Sequence, residues 1–166
     1  MFEMQTTDLT VSAVIERDGR YLMVEEMASG SRVITQPGGH LEGGESPEEG
    51  VIREVLEETG CDVACGELIG VYLWIHPQTR QQFLRIVYEA TLLREDDSRP
   101  LDSGIIATSW LSRADVEYRR RSLRSPVVQR CIQDYEAGRR QSDALFSGML
   151  PLQHNVHAVL ASADLV

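Results

Sequence analysis

The sequence contains no lysine, so all 16 of its basic side chains are arginines. Any side-chain cation that contacts an anionic ligand must therefore be a guanidinium, whose fixed fork of donors suits carboxylate and phosphate oxygens. Acidic residues outnumber basic ones by 26 to 16, and the formal net charge is −10. This acidic balance argues against a nucleic-acid polymer or an anionic membrane as the partner.

Cysteine and long apolar runs are also scarce. The three cysteines, Cys61, Cys65 and Cys131, lack metal-ligand spacing, which favours reduced thiols in a cytoplasm over disulfides. No apolar run reaches the length of a membrane span, and residues 1–8 lack the features of a secretory signal. A length of 166 residues with 42% hydrophobic content predicts one domain with a sizeable core.

Glycine and glutamate are concentrated between residues 38 and 61, and the second half of this stretch is a predicted helix. Ser46 suits the N-cap, Pro47 suits the first helical position, and Glu49 completes a capping box. Gly60 suits the left-handed conformation that ends a helix. The apolar residues between these ends have the spacing of one buried stripe: Val51, Ile52, Val55 and Leu56.

Three glutamates of this helix, Glu54, Glu57 and Glu58, lie at i, i+3 and i+4, so their carboxylates project from one side. Like charges at this spacing repel one another and destabilise a bare helix. A divalent cation would turn the repulsion into attraction, and Mg²⁺ takes its ligands from carboxylates, waters and substrate phosphates. The alternative interpretation is a solvated acidic face without a site, which is the usual state of exposed charge.

The whole stretch matches the Nudix box, and on that basis the chain is identified as a member of the Nudix hydrolase (MutT-like) family. The positions of the box in this chain are Gly39, Glu45, Arg53, Glu54, Val55, Glu57, Glu58, Gly60 and Cys61. Only Cys61 departs from the family pattern, since it replaces a larger aliphatic residue. Agreement at so many fixed positions argues against the solvated-face interpretation.

The resemblance implies an α/β fold, the Nudix-type α/β/α sandwich with a mixed β-sheet, over residues 1–141. It also implies hydrolysis of phosphoanhydride bonds with Mg²⁺, or alternatively Mn²⁺, and adds the carbonyl of Gly38 to the glutamate ligands. Glu57 or Glu58 would also activate the attacking water. Arg53 precedes Glu57 by four residues, which is the less favourable order for an ion pair along a helix. We therefore expect Arg53 to orient a glutamate rather than to stabilise the helix.

The rest of the chain alternates between strand and helix signals. Strands are predicted at 9–15, 21–24, 33–36, 67–75, 82–93 and 105–111. A short helix is predicted to start at Ser112, and a second, capped like the box helix, at Ser125. This order implies a mixed sheet between helices. Residues 142–166, with His154 and His157 as surface residues, are predicted to form a loosely organised tail without a domain of its own.

Several short segments outside the box resemble the NudJ-type phosphatases: 36–41, 74–75, 83–85, 123–126 and 135–139. Trp74 would stack on the heterocycle of a substrate, the alternative being a core or rim tryptophan. Arg85 would contact a phosphate, the alternative being a solvated or salt-bridged arginine. Many Nudix enzymes have an additional carboxylate before a late strand. This chain has Gly104 there, and Asp102 is the nearest substitute.

The predicted reaction is Mg²⁺-dependent attack of water on a phosphorus of a nucleoside di- or triphosphate or a related organic pyrophosphate, such as a thiamine-type one. The NudJ-like positions favour orthophosphate as a product. The alternatives are an ADP-ribose or dinucleoside-polyphosphate pyrophosphatase and, from another class, a non-catalytic nucleotide-binding Nudix module. The expected partner is a small phosphate compound, and the protein is expected to be a cytoplasmic monomer or homodimer.

The segment from Gln36 to Gly39 leads into the box helix. We expect Gly38 or Gly39 to have a positive φ angle, or to lie too close to the metal site for a Cβ atom. A substitution Gly38→Val should then impair activity more than stability. His40, next to these glycines, is a lone loop histidine for which contact with neither metal nor phosphate is expected.

Overall fold

Seven strands and three α-helices make up the described part of the chain, residues 6–142 of this computed structural model. In chain order they are β1 (Thr7–Val14), β2 (Glu16–Arg17), β3 (Arg20–Ala28), β4 (Ser31–Thr35), α1 (Pro47–Thr59), β5 (Asp62–Ile75), β6 (Gln82–Arg94), β7 (Ile105–Ser112), α2 (Arg113–Tyr118) and α3 (Pro126–Glu136). Within these residues, no helix is long and apolar enough to cross a bilayer. The tail predicted from residue 142 onwards, with both of its histidines, lies outside the described residues except for Ser142.

The strands form two sheets. The first has the order β1-β6-β5, with β1 parallel to β6 and β6 antiparallel to β5. The second is antiparallel and is built around β3, which pairs with β2, β4 and β7. The mixed sheet that was predicted from the order of the elements is therefore confirmed.

Helices α1 and α3 cover opposite faces of the mixed sheet. Neighbouring residues of β6 point to different faces, as expected for a strand: Ile86 packs in the cluster that contains Val51 and Val55 of α1. Val87 packs in the cluster that contains Ile132 of α3. This arrangement is the α/β/α sandwich that the Nudix resemblance implied.

The ends of α1 lie where the local signals predicted them. The Ser46 hydroxyl accepts the Glu49 N–H, and the Glu49 carboxylate accepts the Ser46 N–H, which completes the capping box. Gly60 ends the helix with a φ angle of +71°. A second capping box, formed by Ser112 and Asp115, begins α2. These interactions are local, so the positions at which these helices begin and end follow from residues a few positions apart.

The buried face of α1 differs from the predicted apolar stripe. Ile52 is 41% exposed, whereas Glu54 and Glu58 are buried together with Val51 and Val55. These four buried positions follow i, i+3, i+4 and i+7, and two of them carry carboxylates; Pro47, Gly50 and Thr59 are also buried. The prediction was wrong because it reserved the inner face for apolar residues, while α1 extends from the core over a polar pocket.

Two other boundaries also differ from the prediction. Strand β5 begins at Asp62 instead of residue 67, because register shifts between Cys65 and Leu68 break the alternation that marks a strand. Ser125 precedes α3 but makes no side-chain cap, so the expectation of a cap like that of α1 was wrong. The Ser125 side chain is instead buried at the edge of the pocket described below.

Candidate active site

A pocket of about 340 Å³ lies between the glycine-rich segment before α1 and the segment that leads into α3. Residues that the sequence analysis had predicted for the site line it from several elements: Gly38, Gly39, Glu54, Glu58, Trp74, Arg85 and Asp102. Residues without a predicted role also line it: Thr10, Glu26, Glu42, Phe83, Arg124, Ser125 and Val127. His40 is a further lining residue, and Glu57 is not one.

Arg53 connects the glycine-rich segment to three glutamates. Its Nε and Nη2 atoms donate to the two carboxylate oxygens of Glu45 at 3.0 and 2.7 Å. Nη1 donates to Glu54 Oε1 at 2.8 Å and to Glu57 Oε2 at 3.2 Å. Nη2 also donates to the carbonyl of His40 at 3.0 Å. Of the three glutamates predicted to bind the metal ion, Arg53 thus contacts Glu54 and Glu57.

Glu58 and Glu54 are carboxylates in a desolvated position. Glu58 is only 7% exposed, and its Oε2 accepts the Gly38 N–H at 2.8 Å. Burial raises the pKa of Glu58 to about 8, although the Gly38 N–H opposes the change. Burial also raises the pKa of Glu54, against the hydrogen bond from Arg53. A cation in the pocket would stabilise the ionised form of both side chains.

The carboxylate oxygens of this pocket suit a hard divalent cation, which binds oxygen ligands. Within residues 6–142, however, no three Asp, Glu, His or Cys side chains converge into a group that could hold a metal ion. Glu57 has a 47% exposed side chain that pairs with Arg53 outside the pocket. The structure therefore brings together two of the three predicted carboxylate ligands. The full set, with Glu57 and the Gly38 carbonyl, stays a prediction.

The two glycines before α1 approach their neighbours very closely. Gly38 has a φ angle of +151°, and a Cβ atom on it would lie 2.2 Å from the carbonyl oxygen of Val11. A Cβ atom on Gly39 would lie 2.6 Å from Glu54 Oε1. The predicted positive φ angle is confirmed. The obstacle at Gly38 is the backbone of β1, so we expect Gly38→Val to lower stability as well as activity.

The predicted substrate residues lie on neighbouring strands. Trp74 of β5 pairs with Phe83 of β6, and their rings are stacked with centroids 5.6 Å apart. Arg85 of β6 is 9% exposed and donates from Nη1 to the Thr35 hydroxyl at 3.2 Å. Asp102 belongs to the loop before β7, and its N–H donates to the carbonyl of Glu57 at 2.8 Å. That bond holds the loop against the last turn of α1.

Comparison with known proteins identifies the family. The NUDIX domain family matches residues 6–131 of this chain. The chain belongs to the Nudix family. Its members hydrolyse pyrophosphate bonds of small phosphate compounds, and the chain is an enzyme of this class.

Two Nudix relatives and one more distant structure illustrate the similarity. Phosphatase NudJ of Escherichia coli strain K12 is 35% identical over 132 residues, covering 80% of this chain and 85% of that protein. A NUDIX hydrolase from Nitrosomonas europaea is 38% identical with a TM-score of 0.81, covering 84% of this chain and 95% of that one. An ADP-ribose pyrophosphatase from Streptococcus suis, 21% identical with a TM-score of 0.59 over 82% of this chain and 96% of that one, shares the fold.

Several residues of the Nudix pocket had no local signal that would have revealed them. Glu26 follows another glutamate at the end of a strand, and Thr10 is one of several hydroxyl residues in β1. Arg124 lies in the segment 123–126, whose NudJ-like pattern was noticed without a role being assigned to the arginine. Only the folded chain brings these residues, more than a hundred positions apart at the extremes, to one pocket.

We predict that Gly39→Ala lowers turnover more than stability. The new Cβ atom would meet the carboxylate of Glu54, the movable end of a side chain, so Glu54 is displaced while the backbone stays in place. A misplacement of about 1 Å can lower the rate by about 10²-fold. Turnover and melting temperature, measured on the same preparation, check this outcome.

Two matched glycine variants serve as controls. Gly38→Ala should lower the melting temperature as well, because its Cβ atom meets the backbone of β1. Gly43→Ala, whose Cβ atom would have no neighbour within 4 Å, should leave both quantities unchanged. Wild-type turnover in Gly39→Ala would contradict the assignment of Glu54 to the site.

We also predict that the metal-free protein loses stability as the pH rises, and that Glu58→Gln removes this loss. Because burial raises the pKa of Glu58 from 4.5 to about 8, the folded state keeps a proton that the unfolded state has released. The contribution of Glu58 to the free energy of unfolding therefore falls by about 1.4 kcal/mol for each pH unit between these two values, and it levels off above them.

Denaturant unfolding of both proteins at pH 5 to 9 measures the difference. The glutamine amide oxygen can still accept the Gly38 N–H, so the variant should equal the wild type at the acid end and exceed it at the alkaline end. Parallel pH profiles for the two proteins would show that Glu58 ionises normally.

Proposed function

We propose that this Nudix hydrolase cleaves a phosphoanhydride bond of a nucleoside di- or triphosphate, or of a related organic pyrophosphate such as a thiamine-type one. The reaction would depend on Mg²⁺, with Mn²⁺ as an alternative. The observation that carries the proposal is that two buried carboxylates, Glu54 and Glu58, and a buried guanidinium, Arg85, line the same pocket. Carboxylates suit the cation, and the guanidinium suits a phosphate.

The reaction would be the attack of water on a phosphorus. When bound, the metal ion would neutralise the charge that develops on the bridging and leaving oxygens. Glu54, Glu57 and Glu58 would be its ligands, together with the carbonyl of Gly38. Glu57 or Glu58 would position the attacking water and take its proton. Arg53 would act as a positioning residue, because its contacts with Glu54 and Glu57 fix the direction of their carboxylates.

The remaining predicted residues would hold the substrate. The volume of about 340 Å³ lies within the range of small-molecule sites. Trp74, already stacked on Phe83, would offer its exposed side to a heterocycle. Arg85 would contact a phosphate oxygen. Asp102 would be the additional carboxylate at the edge of the site, since its backbone is bonded to the last turn of α1.

The similarity to a phosphatase favours this proposal over its alternatives. An ADP-ribose or dinucleoside-polyphosphate pyrophosphatase remains the second candidate, and the Streptococcus suis enzyme with that name shares only the fold. A non-catalytic module is disfavoured because every carboxylate of the Nudix box is present and Arg53 connects three of them. A cytoplasmic location, the absence of a nucleic-acid partner and the state of monomer or homodimer stay predictions.

A panel of phosphate compounds, assayed with identification of the products, tests the substrate class. We expect orthophosphate among the products, as the NudJ-like positions suggest. Phosphorus NMR of the reaction with a nucleoside triphosphate distinguishes the two modes of cleavage. Pyrophosphate as the sole inorganic product would contradict release of orthophosphate, and the absence of hydrolysis across the panel would contradict the substrate class.

We predict that Glu57→Gln and Glu58→Gln separate activity from stability. Each change keeps the shape of the side chain. Glu58→Gln resembles the protonated form that the metal-free folded protein holds below about pH 8, and Glu57→Gln removes a half-exposed negative charge beside other carboxylates, so the metal-free protein should melt at the same temperature or higher. Turnover should fall by about 10²–10⁴-fold, as is typical when a catalytic base is removed. Stabilisation by Mg²⁺ should also become weaker.

Melting temperature with and without Mg²⁺, and turnover, are compared for the wild type and both variants. Glu67→Gln is the matched control, since Glu67 carries the same charge but has a 69% exposed side chain on β5, away from the pocket. If both box variants keep the turnover and the Mg²⁺ response of the wild type, the metal-site interpretation is wrong.

A further inference from the structure

Arg85 is a buried cation that makes no direct ion pair with a carboxylate among the described residues, although Glu26 and Glu58 lie near enough to raise its pKa. Its only contact of hydrogen-bonding distance among residues 6–142 is the neutral hydroxyl of Thr35. Burial, and next the nearby guanidinium of Arg124, lower the pKa of Arg85. A buried charge without a counter-ion is unfavourable unless another group compensates for it. Because Arg85 lines the pocket, a ligand there can supply the compensating negative charge.

Arg124 brings a second guanidinium to the same part of the pocket. Its backbone is fixed, since its N–H donates to the carbonyl of Ile34 in β4 at 2.9 Å. Its side chain pairs with Glu26 of β3, and both side chains line the pocket. Arg124 thus has a paired carboxylate and Arg85 has none, so the two guanidiniums bring more positive charge to this part of the pocket than Glu26 alone balances. Arg85 and Glu26 both influence the pKa of Glu58, so this part of the pocket adjoins the carboxylates of α1.

Thr10 adds a donor at the same place. It is the Cα partner of Arg85 in the parallel pair of β1 and β6, and it lines the pocket. Its hydroxyl is buried and has no hydrogen-bond partner in the part of the chain that the structure describes. A buried hydroxyl without a partner is unfavourable, and a phosphate oxygen would accept its proton.

We propose that Arg85, Arg124 and the Thr10 hydroxyl form a subsite for the terminal phosphoryl group, so that preferred substrates are di- or triphosphates whose terminal phosphate carries no further ester. This assignment rests on the proposed function and narrows its substrate class. A terminal phosphoryl group carries close to two negative charges at neutral pH, because its second pKa is about 6. It matches two guanidiniums, whereas each phosphate of a diphosphodiester such as ADP-ribose carries about one charge.

Two substrate analogues that differ only at the terminal phosphate test the assignment. One is α,β-methylene-ADP, and the other is the same compound with a methyl ester on its terminal phosphate. Both resist cleavage at the bridge, so calorimetric titration in the presence of Mg²⁺ measures binding alone. The wild type should bind the free-ended analogue about tenfold more tightly or better, a difference of about 1.4 kcal/mol. Arg124→Gln should lose most of this preference.

Two further variants separate a binding role from a structural one. Thr10→Val should reduce the preference while it keeps or raises the melting temperature, because a buried hydroxyl without a partner is removed. It decides the question even if Arg124→Gln is destabilised by the loss of its pair with Glu26. Arg121→Gln is the matched control, since Arg121 is an exposed arginine three positions away that does not line this pocket.

The outcomes distinguish the subsite from the hydrolytic function. Equal affinity of the wild type for the two analogues, or an unchanged preference in Thr10→Val and in folded Arg124→Gln, overturns the subsite. A preference that these variants abolish, in a protein that hydrolyses none of the phosphate panel, supports the subsite and contradicts the proposed reaction. Binding of neither analogue by the wild type overturns both.

Discussion

The guanidinium of Arg53 donates hydrogen bonds to Glu45, Glu54, Glu57 and the carbonyl of His40, and the geometry of the site depends on these bonds. The carboxylates of α1 would otherwise repel one another, and the loop before the helix would lose its contacts with Arg53 through Glu45 and the His40 carbonyl. Arg53 lies beside the pocket and does not line it, so its contacts hold the carboxylates without using the space in which a substrate would bind. The close approach of Gly39 to Glu54 belongs to the same arrangement.

The pocket has two parts of opposite charge, which explains how a chain with a net charge of −10 can accept a phosphate compound. Glu54 and Glu58 form the acidic part, where burial raises both pKa values and favours a cation. Arg85 and Arg124 form the basic part, on the side of the mixed sheet that α3 covers. A substrate with its metal ion would be complementary to both parts at once, since in the proposed complex the ion would bind the carboxylates and the phosphate oxygens would bind the guanidiniums.

Sequence analysis predicted the features that local interactions determine. Ser46 and Gly60 delimit α1 because capping depends on residues a few positions apart. It failed where long-range packing decides: Ile52 is exposed while carboxylates are buried. The strand that contains Glu26 was predicted to end at residue 24, but β3 continues to Ala28. It continues because β3 pairs with β4 on one side and with β7 on the other, and this pairing outweighs the unfavourable effect of its two glutamates. Arg124 reaches the pocket only through contacts with β3 and β4, which no local pattern encodes.

In the proposed reaction, the carboxylates of α1 form a site for a divalent cation on which hydrolysis of a phosphoanhydride depends. The most direct test measures hydrolysis by protein stripped of metal with a chelator, followed by titration with Mg²⁺. The account predicts negligible turnover in the stripped protein and recovery that saturates with added Mg²⁺, with Mn²⁺ as an alternative. Full turnover of the stripped protein in the presence of chelator would contradict it.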